Sequence, residues 1–150
     1  MLKIDIIAVG KLKEAFWRDA CAEYLKRLGG YAKVRVVELP DSNPCSEAAA
    51  ILAQLEGLPA SAEVVLLDIG GTETSSEALA QRMDKWTVGG VSHIAFVIGG
   101  SEGVISTVRD RATFRLSFGP LTLPHNLARV VLLEQIYRAF KISRGEPYHK

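Results

Sequence analysis

The chain has 150 residues, of which 48% are hydrophobic and 23% charged, with a formal net charge of +1. That is the make-up of one globular domain with enough length to bury a core. It excludes a low-complexity or disulfide-stapled class, since there are only two cysteines, Cys21 and Cys45, and no apolar run approaches the roughly 18 residues of a membrane span.

Residues 2–9 read as a buried strand. Asp5 interrupts the apolar run and no small-residue cleavage site follows, so the opening is expected to be a strand of a cytoplasmic protein, not a signal peptide. Lys13 to Leu28 has helical period through Phe16, Ala20, Tyr24 and Leu28, and Gly29–Gly30 ends it. Ala32 to Leu39 alternates as a second strand. Pro40 to Pro44 is a polar loop, the best candidate for a mobile segment. Ser46 is expected to cap a helix reaching Leu55. Glu63 to Ile69 is a third, nearly all-apolar strand, followed at once by Gly70–Gly71. Thr74 and Glu77 have capping-box spacing for a helix to about Trp86. His93 to Ile98 is a fourth strand, ending in Gly99–Gly100 and then Gly103. A short helix reaches Ala112, and Phe114 to Phe118 is the fifth strand. After the loop 119–125 a long helix is expected from Asn126 to Ser143, stopped by Gly145 and Pro147. Tyr148, His149 and Lys150 follow as a tail with little to offer a core.

Strands alternating with helices predict one α/β domain over residues 1–150. Its sheet is mostly parallel, with helices on both faces and ligand loops at the strand C-termini. Three successive strands end in glycine- or proline-bearing turns: LLDIGG at 66–71, VIGGSEG at 97–103 and SFGPLTLPH at 117–125. Loops at adjacent strand ends face one crevice, and glycine lets backbone approach a ligand closely. IGGSEG has neither the spacing of a dinucleotide fingerprint nor the Lys-Ser/Thr of a P-loop. Asp68 reads equally as a partner for a ribose hydroxyl and as a turn aspartate. His125 reads as a base, a ligand or a locally packed helix-start residue. Glu134 and Arg138, at i and i+4, form at least a surface ion pair. No metal-ligand spacing is present. From Arg109 onward there are eight Lys and Arg against three Asp and Glu, a surplus of five positive charges. A near-neutral chain therefore carries one basic end, suited to a polyanion or simply a solvated helix face.

Taken together, IIAVGKLKEAFWRDACAEYLKRL, LLDIGG, SSEALA, FVIGGSEG, LSFGPLTLPH and RVVLLEQIYRAFKISRGEPYHK resemble the RlmH family along essentially the whole chain. That family comprises SPOUT-class methyltransferases acting on N3 of a pseudouridine in bacterial 23S rRNA. The resemblance implies an α/β-knot fold with a C-terminal trefoil knot, a feature that general topology rules disfavour. It implies a homodimer, S-adenosylmethionine (SAM) as methyl donor, no metal and no membrane. It places the cofactor against Leu67, Gly99 and the loop Phe118, Gly119, Pro120, Leu121, Thr122 and Leu123. It assigns Glu134, Arg138, Tyr148 and His149 to catalysis, with His125 matching the histidine of the TLPH loop. Asn126 departs from the residue common after that histidine. With no length for a separate RNA-binding domain, RNA grip is expected from the basic end with Lys11 and Lys13, on a substrate that is the assembled ribosome. Methyl transfer to a ring nitrogen needs the N3 proton removed, so His149 is the expected base or base-positioner, with Tyr148 stacking or hydrogen bonding. Arg138 is expected on phosphate, held by Glu134. The rival expectations are a non-catalytic ribosome-associated RNA binder that keeps the fold, and a nucleotide binder using IGGSEG for phosphate.

Overall fold

A computed structural model describes residues 1–149; Lys150, the last of the tail, lies outside the described residues. Five parallel strands run in the order β2-β1-β4-β3-β5. They are β1 (Lys3–Val9), β2 (Lys33–Leu39), β3 (Glu63–Glu73), β4 (His93–Ile98) and β5 (Phe114–Ser117). A parallel sheet is covered on both faces, so its strands are apolar without alternation. Accordingly β1 is buried from Ile4 to Val9 and β4 from Ile94 to Ile98. The exception, Asp5, is 3% exposed and accepts from Arg35 Nη2 at 2.8 Å, which compensates the buried charge.

Successive side chains of β1 point to opposite faces. Ile4, Ile6 and Ala8 pack under α1 (Ala15–Leu28), α3 (Ser76–Val88) and α5 (His125–Ser143). Ile7 and Val9 pack under α2 (Pro44–Glu56) and α4 (Ser106–Arg111). The helices thus cover both faces, as the alternating pattern requires.

Several boundaries differ from the sequence expectation. The cap of α2 is Asn43, whose Oδ1 accepts from Ser46 N at 2.8 Å, so Ser46 is inside the helix and Pro44 opens it. The predicted mobile loop before it is tied down, with Ser42 N donating to the buried Glu47 at 2.8 Å. For α3 the cap is Ser75, accepting from Ala78 N at 3.0 Å, and Thr74 donates instead to Thr72 O. Capping falls one residue later because Thr74 is still bonded to the end of β3. Helix α5 starts at His125, one residue early, where Pro124 O accepts from Ala128 N at 2.9 Å.

The largest difference is at Gly70–Gly71. Strand β3 does not end at Ile69 but runs through both glycines to Glu73. Its pairing with β5 slips between Leu67 and Thr72, both of which pair with Leu116. The extra residues make a bulge, which lets one strand serve a site and then resume its ladder. At Gly71 a Cβ atom would lie 2.6 Å from the carbonyl oxygen of Arg115, so only glycine fits there.

The tail also departs from expectation. Tyr148 packs against the core cluster, its ring edge-on to Tyr137 at 4.9 Å. An aromatic ring with its hydroxyl satisfied gains from burial even beyond the last helix.

Candidate active site

The C-terminal ends of β4, β3 and β5 and the first turn of α5 enclose a cavity of about 340 Å³. Three loops wall it, as the sequence implies: Leu67 to Ile69, Ile98 to Val104, and Phe118 to Leu123. Leu67, Gly99, Phe118, Gly119, Leu121, Thr122 and Leu123 line it; Pro120 lies in the same loop but not on the wall. His125 and Ala128 close it from α5.

Backbone forms much of this wall for local reasons. Gly119 (φ 110°) and Gly103 (φ 80°) occupy the left-handed region that disfavours side chains. Ser117, 2% exposed, holds the third loop: its hydroxyl accepts from Gly119 N at 3.1 Å and donates to Ile69 O at 3.2 Å. The sequence reading missed this serine, because strand alternation does not distinguish it from any half-buried serine. Gly100 abuts α2, where a Cβ would meet Glu47 Oε1 at 2.7 Å. Gly99 is crowded from within its own loop: a Cβ would lie 2.5 Å from Val104 Cγ1. Its lack of a side chain therefore makes room for Val104, not directly for a ligand. Gly99→Val should push Val104 and the 100–103 turn into the cavity. Affinity for SAM should fall about tenfold or more in a variant that still folds but melts lower; calorimetry checks this, and unchanged affinity in a folded variant removes Gly99 from the site.

Asp68 lies on the wall, and its carboxylate is already engaged. It accepts from Gly70 N at 3.0 Å and meets Arg115 at 3.2 Å and Arg109 at 3.4 Å. It is a turn aspartate and an ion-pair centre, which leaves less capacity for a ribose hydroxyl.

The residues expected in catalysis converge elsewhere. Glu134 Oε2 accepts from Arg138 Nη2 at 2.8 Å, from Arg138 Nε at 3.1 Å and from the Tyr148 hydroxyl at 2.9 Å. Gln135 Nε2 donates to the other oxygen at 2.7 Å. The side chains of Glu134 and Arg138 are 17% and 24% exposed, so this is no simple surface ion pair. The guanidinium sits 4.7 Å from the Tyr148 ring centroid. Burial, and then the hydrogen bond to Glu134, push the Tyr148 phenol up to about 12, so it remains a donor at neutral pH. The His149 ring lies between Arg138, whose Nη1 is 3.1 Å from Nδ1, and Glu77, which contacts Nε2. In the sequence Glu77 is only a helix-start residue; nothing in its spacing points to a histidine 72 residues away.

None of these tail-network groups lines the cavity of the same chain. The structure brings together the cofactor set and the catalytic set, but not the one with the other. Between them Arg129, 3% exposed, ties α5 to the sheet by donating to Glu38 at 2.6 Å and to Gly10 O at 3.0 Å. Lys11 and Arg18 border a second cavity of about 510 Å³ beside Arg129, and Lys13 is exposed nearby. Cys21 is buried, which pushes its thiol up, as suits an inert side chain. Among the described residues no helix is long and apolar enough to cross a membrane, and no group of three or more His, Cys, Asp or Glu is placed to hold a metal.

Comparison with known proteins places this arrangement. A family described as "Predicted SPOUT methyltransferase" matches residues 2–149. The chain is 48% identical to ribosomal RNA large subunit methyltransferase H of Bacillus thuringiensis strain Al Hakam, covering 99% of this chain and 100% of that protein. The same identity and coverage hold for the protein of that name in Bacillus anthracis. Among solved structures, a methylase-family protein of Haemophilus influenzae superposes with a TM-score of 0.57 at 12% identity, over 95% of this chain and 66% of that one. A methyltransferase of Legionella pneumophila, solved with bound SAM, gives 0.53 at 12% identity, over 93% and 66%. Those two likenesses are of fold, and the chain spans about two thirds of their length. A profile match from end to end, near-half identity over full length and a shared sheet lead to one conclusion: this chain belongs to the SPOUT methyltransferase family.

Proposed function

We propose that the protein is a SAM-dependent methyltransferase that methylates N3 of a pseudouridine in 23S rRNA, in the cytoplasm and on the assembled ribosome. One observation carries this reading: a cavity walled by backbone at three strand ends, in a chain that aligns over its full length with rRNA large subunit methyltransferases.

The cavity fits SAM. Its volume of about 340 Å³ lies at the lower end of small-ligand sites, and its walls are mainly apolar with glycine at two positive-φ turns. Leu67, Gly99 and the 118–123 loop would hold the cofactor, largely through main chain. When bound, SAM supplies an electrophilic methyl carbon on a sulfonium sulfur. The chain's contribution is alignment and removal of one proton. Alignment of the two substrates in one cleft accounts for most of the rate. His149 takes the N3 proton, Tyr148 and Glu134 fix the tail, and Arg138 engages RNA phosphate.

Two features support a homodimer with a composite site. The tail network lies apart from the cofactor cavity of its own chain, so a two-fold partner has to supply it. Ile69 and Leu121 at the cavity mouth are 61% and 79% exposed, and Leu127, Val130 and Val131 on α5 are only half-buried. Such a surface suits an isologous interface. The trefoil knot belongs to the same reading, with α5 following β5 beside β3. Light scattering at micromolar concentration should give twice the chain mass; a monomer there removes the composite site.

Arg138→Ala should weaken ribosome binding and flatten its salt dependence by about one unit of slope, as expected for one lost phosphate contact. An unchanged slope with lost turnover would place Arg138 on the reacting base instead.

A further inference from the structure

We infer that Glu77 is a positioning residue for methyl transfer: it holds the His149 imidazole with Nε2 protonated and Nδ1 unprotonated, able to take the proton from N3 of the target base once Arg138 leaves it. This rests on the reading of the tail as proton acceptor.

Glu77 stands in the first turn of α3, and its carboxylate contacts His149 Nε2. On the opposite side of the ring, Arg138 Nη1 is 3.1 Å from Nδ1. A guanidinium only donates. Nδ1 therefore accepts, and the proton of the neutral ring sits on Nε2, where it is donated to Glu77. The imidazole has a carboxylate behind it and a lone pair in front, the order used by carboxylate–imidazole pairs in general-base catalysis. The Glu77 carboxyl is held below its ordinary range by its own backbone amide and then by His149, so it supplies a negative charge at neutral pH.

Among the described residues, the charged and titratable groups around the ring are Glu77 from α3, Arg138 and Glu134 from α5, and Tyr148 from the tail. Of these only Arg138 occupies the reactive nitrogen. An incoming base donates its N3–H to Nδ1 in place of Arg138, which turns to the phosphate. The N3–H bond then breaks and its proton passes to Nδ1. The N3 electron pair forms the bond to the methyl carbon as the carbon–sulfur bond breaks, and that pair stays on sulfur. The imidazolium is stabilised by the Glu77 carboxylate and later returns its proton to water.

A first-turn glutamate also favours its helix through the macrodipole, so a change in stability alone decides nothing. The test is single-turnover methyl transfer by the full chain to ribosomes lacking the methyl group, for Glu77→Ala, Glu77→Gln and His149→Ala. Glu77→Ala should lower the rate about tenfold or more, with SAM and ribosome affinities within twofold. Glu77→Gln keeps an acceptor without the charge and should recover part of the loss. Wild-type rate in Glu77→Ala, or no recovery in Glu77→Gln, alongside a large defect in His149→Ala, overturns the role of Glu77 and leaves that of the tail. Wild-type rate in His149→Ala overturns both.

Discussion

A chain ending at Pro147 is expected to keep its fold, its dimer and its SAM affinity, and to lose methyl transfer by a hundredfold or more. Tyr148 and His149 touch no part of the cofactor cavity of their own chain. Removal of Tyr148 does have a cost. It breaks the edge-on contact with Tyr137 and the hydrogen bond to Glu134, together about 1–2 kcal/mol. In a domain of this size that lowers the melting temperature by roughly 3–6 °C. It does not unfold the chain, since α5 remains packed through Leu132, Leu133 and Ile136. The loss of His149 removes the proton acceptor, an effect of about 10²–10⁴ in rate. Four measurements separate the possibilities: melting temperature, mass in solution, SAM affinity and methyl incorporation. Transfer retained within about tenfold shows that the tail takes no part in chemistry. Loss of SAM binding or of the dimer shows it to be structural.

Gly71→Ala is expected to destabilise the protein by about 1–3 kcal/mol, as overpacking does, and to disturb the cofactor site with it. The added Cβ would lie 2.6 Å from the Arg115 carbonyl oxygen and 2.7 Å from its carbon. Neither atom can rotate away, because Arg115 belongs to β5 and its side chain is paired with Asp68 at 3.2 Å. Strands β3 and β5 would have to part where the first and third loops of the cavity meet. Gly70→Ala is the internal control, since a Cβ there meets only Asp68 Oδ1, at an ordinary 3.5 Å. Equal melting temperatures for the two variants would contradict the bulge geometry.

The sheet was legible in the sequence because a parallel sheet leaves a coarse signal: three apolar runs and two shorter mixed strands, separated by helical periods. The convergence of three glycine-bearing loops followed from that topology, since parallel strands end on one side. What local pattern does not carry is contact at a distance. Thr74 has capping-box spacing, yet Ser75 caps α3 because the Thr74 hydroxyl is engaged by Thr72 O at the end of β3. Gly70–Gly71 looks like a terminating turn and is a bulge, because β3 resumes its pairing with the same β5 residue, Leu116, after residues 68–71 loop out. Tyr148 reads as a frayed terminus, yet Tyr137 and Glu134 on α5 receive both ends of its side chain. The Glu134–Arg138 pair was visible from its i, i+4 spacing, but its burial was not. Glu77 and His149 meet only in the folded chain.

The most direct measurement is methyl transfer from labelled SAM to ribosomes that lack the modification, followed by mass analysis of the 23S rRNA nucleosides. The expected product is one methyl group per ribosome, on N3 of a pseudouridine, with no transfer when that position is left as uridine. SAM binding without transfer to any ribosomal particle, or a methyl group found at another nucleoside, would contradict it.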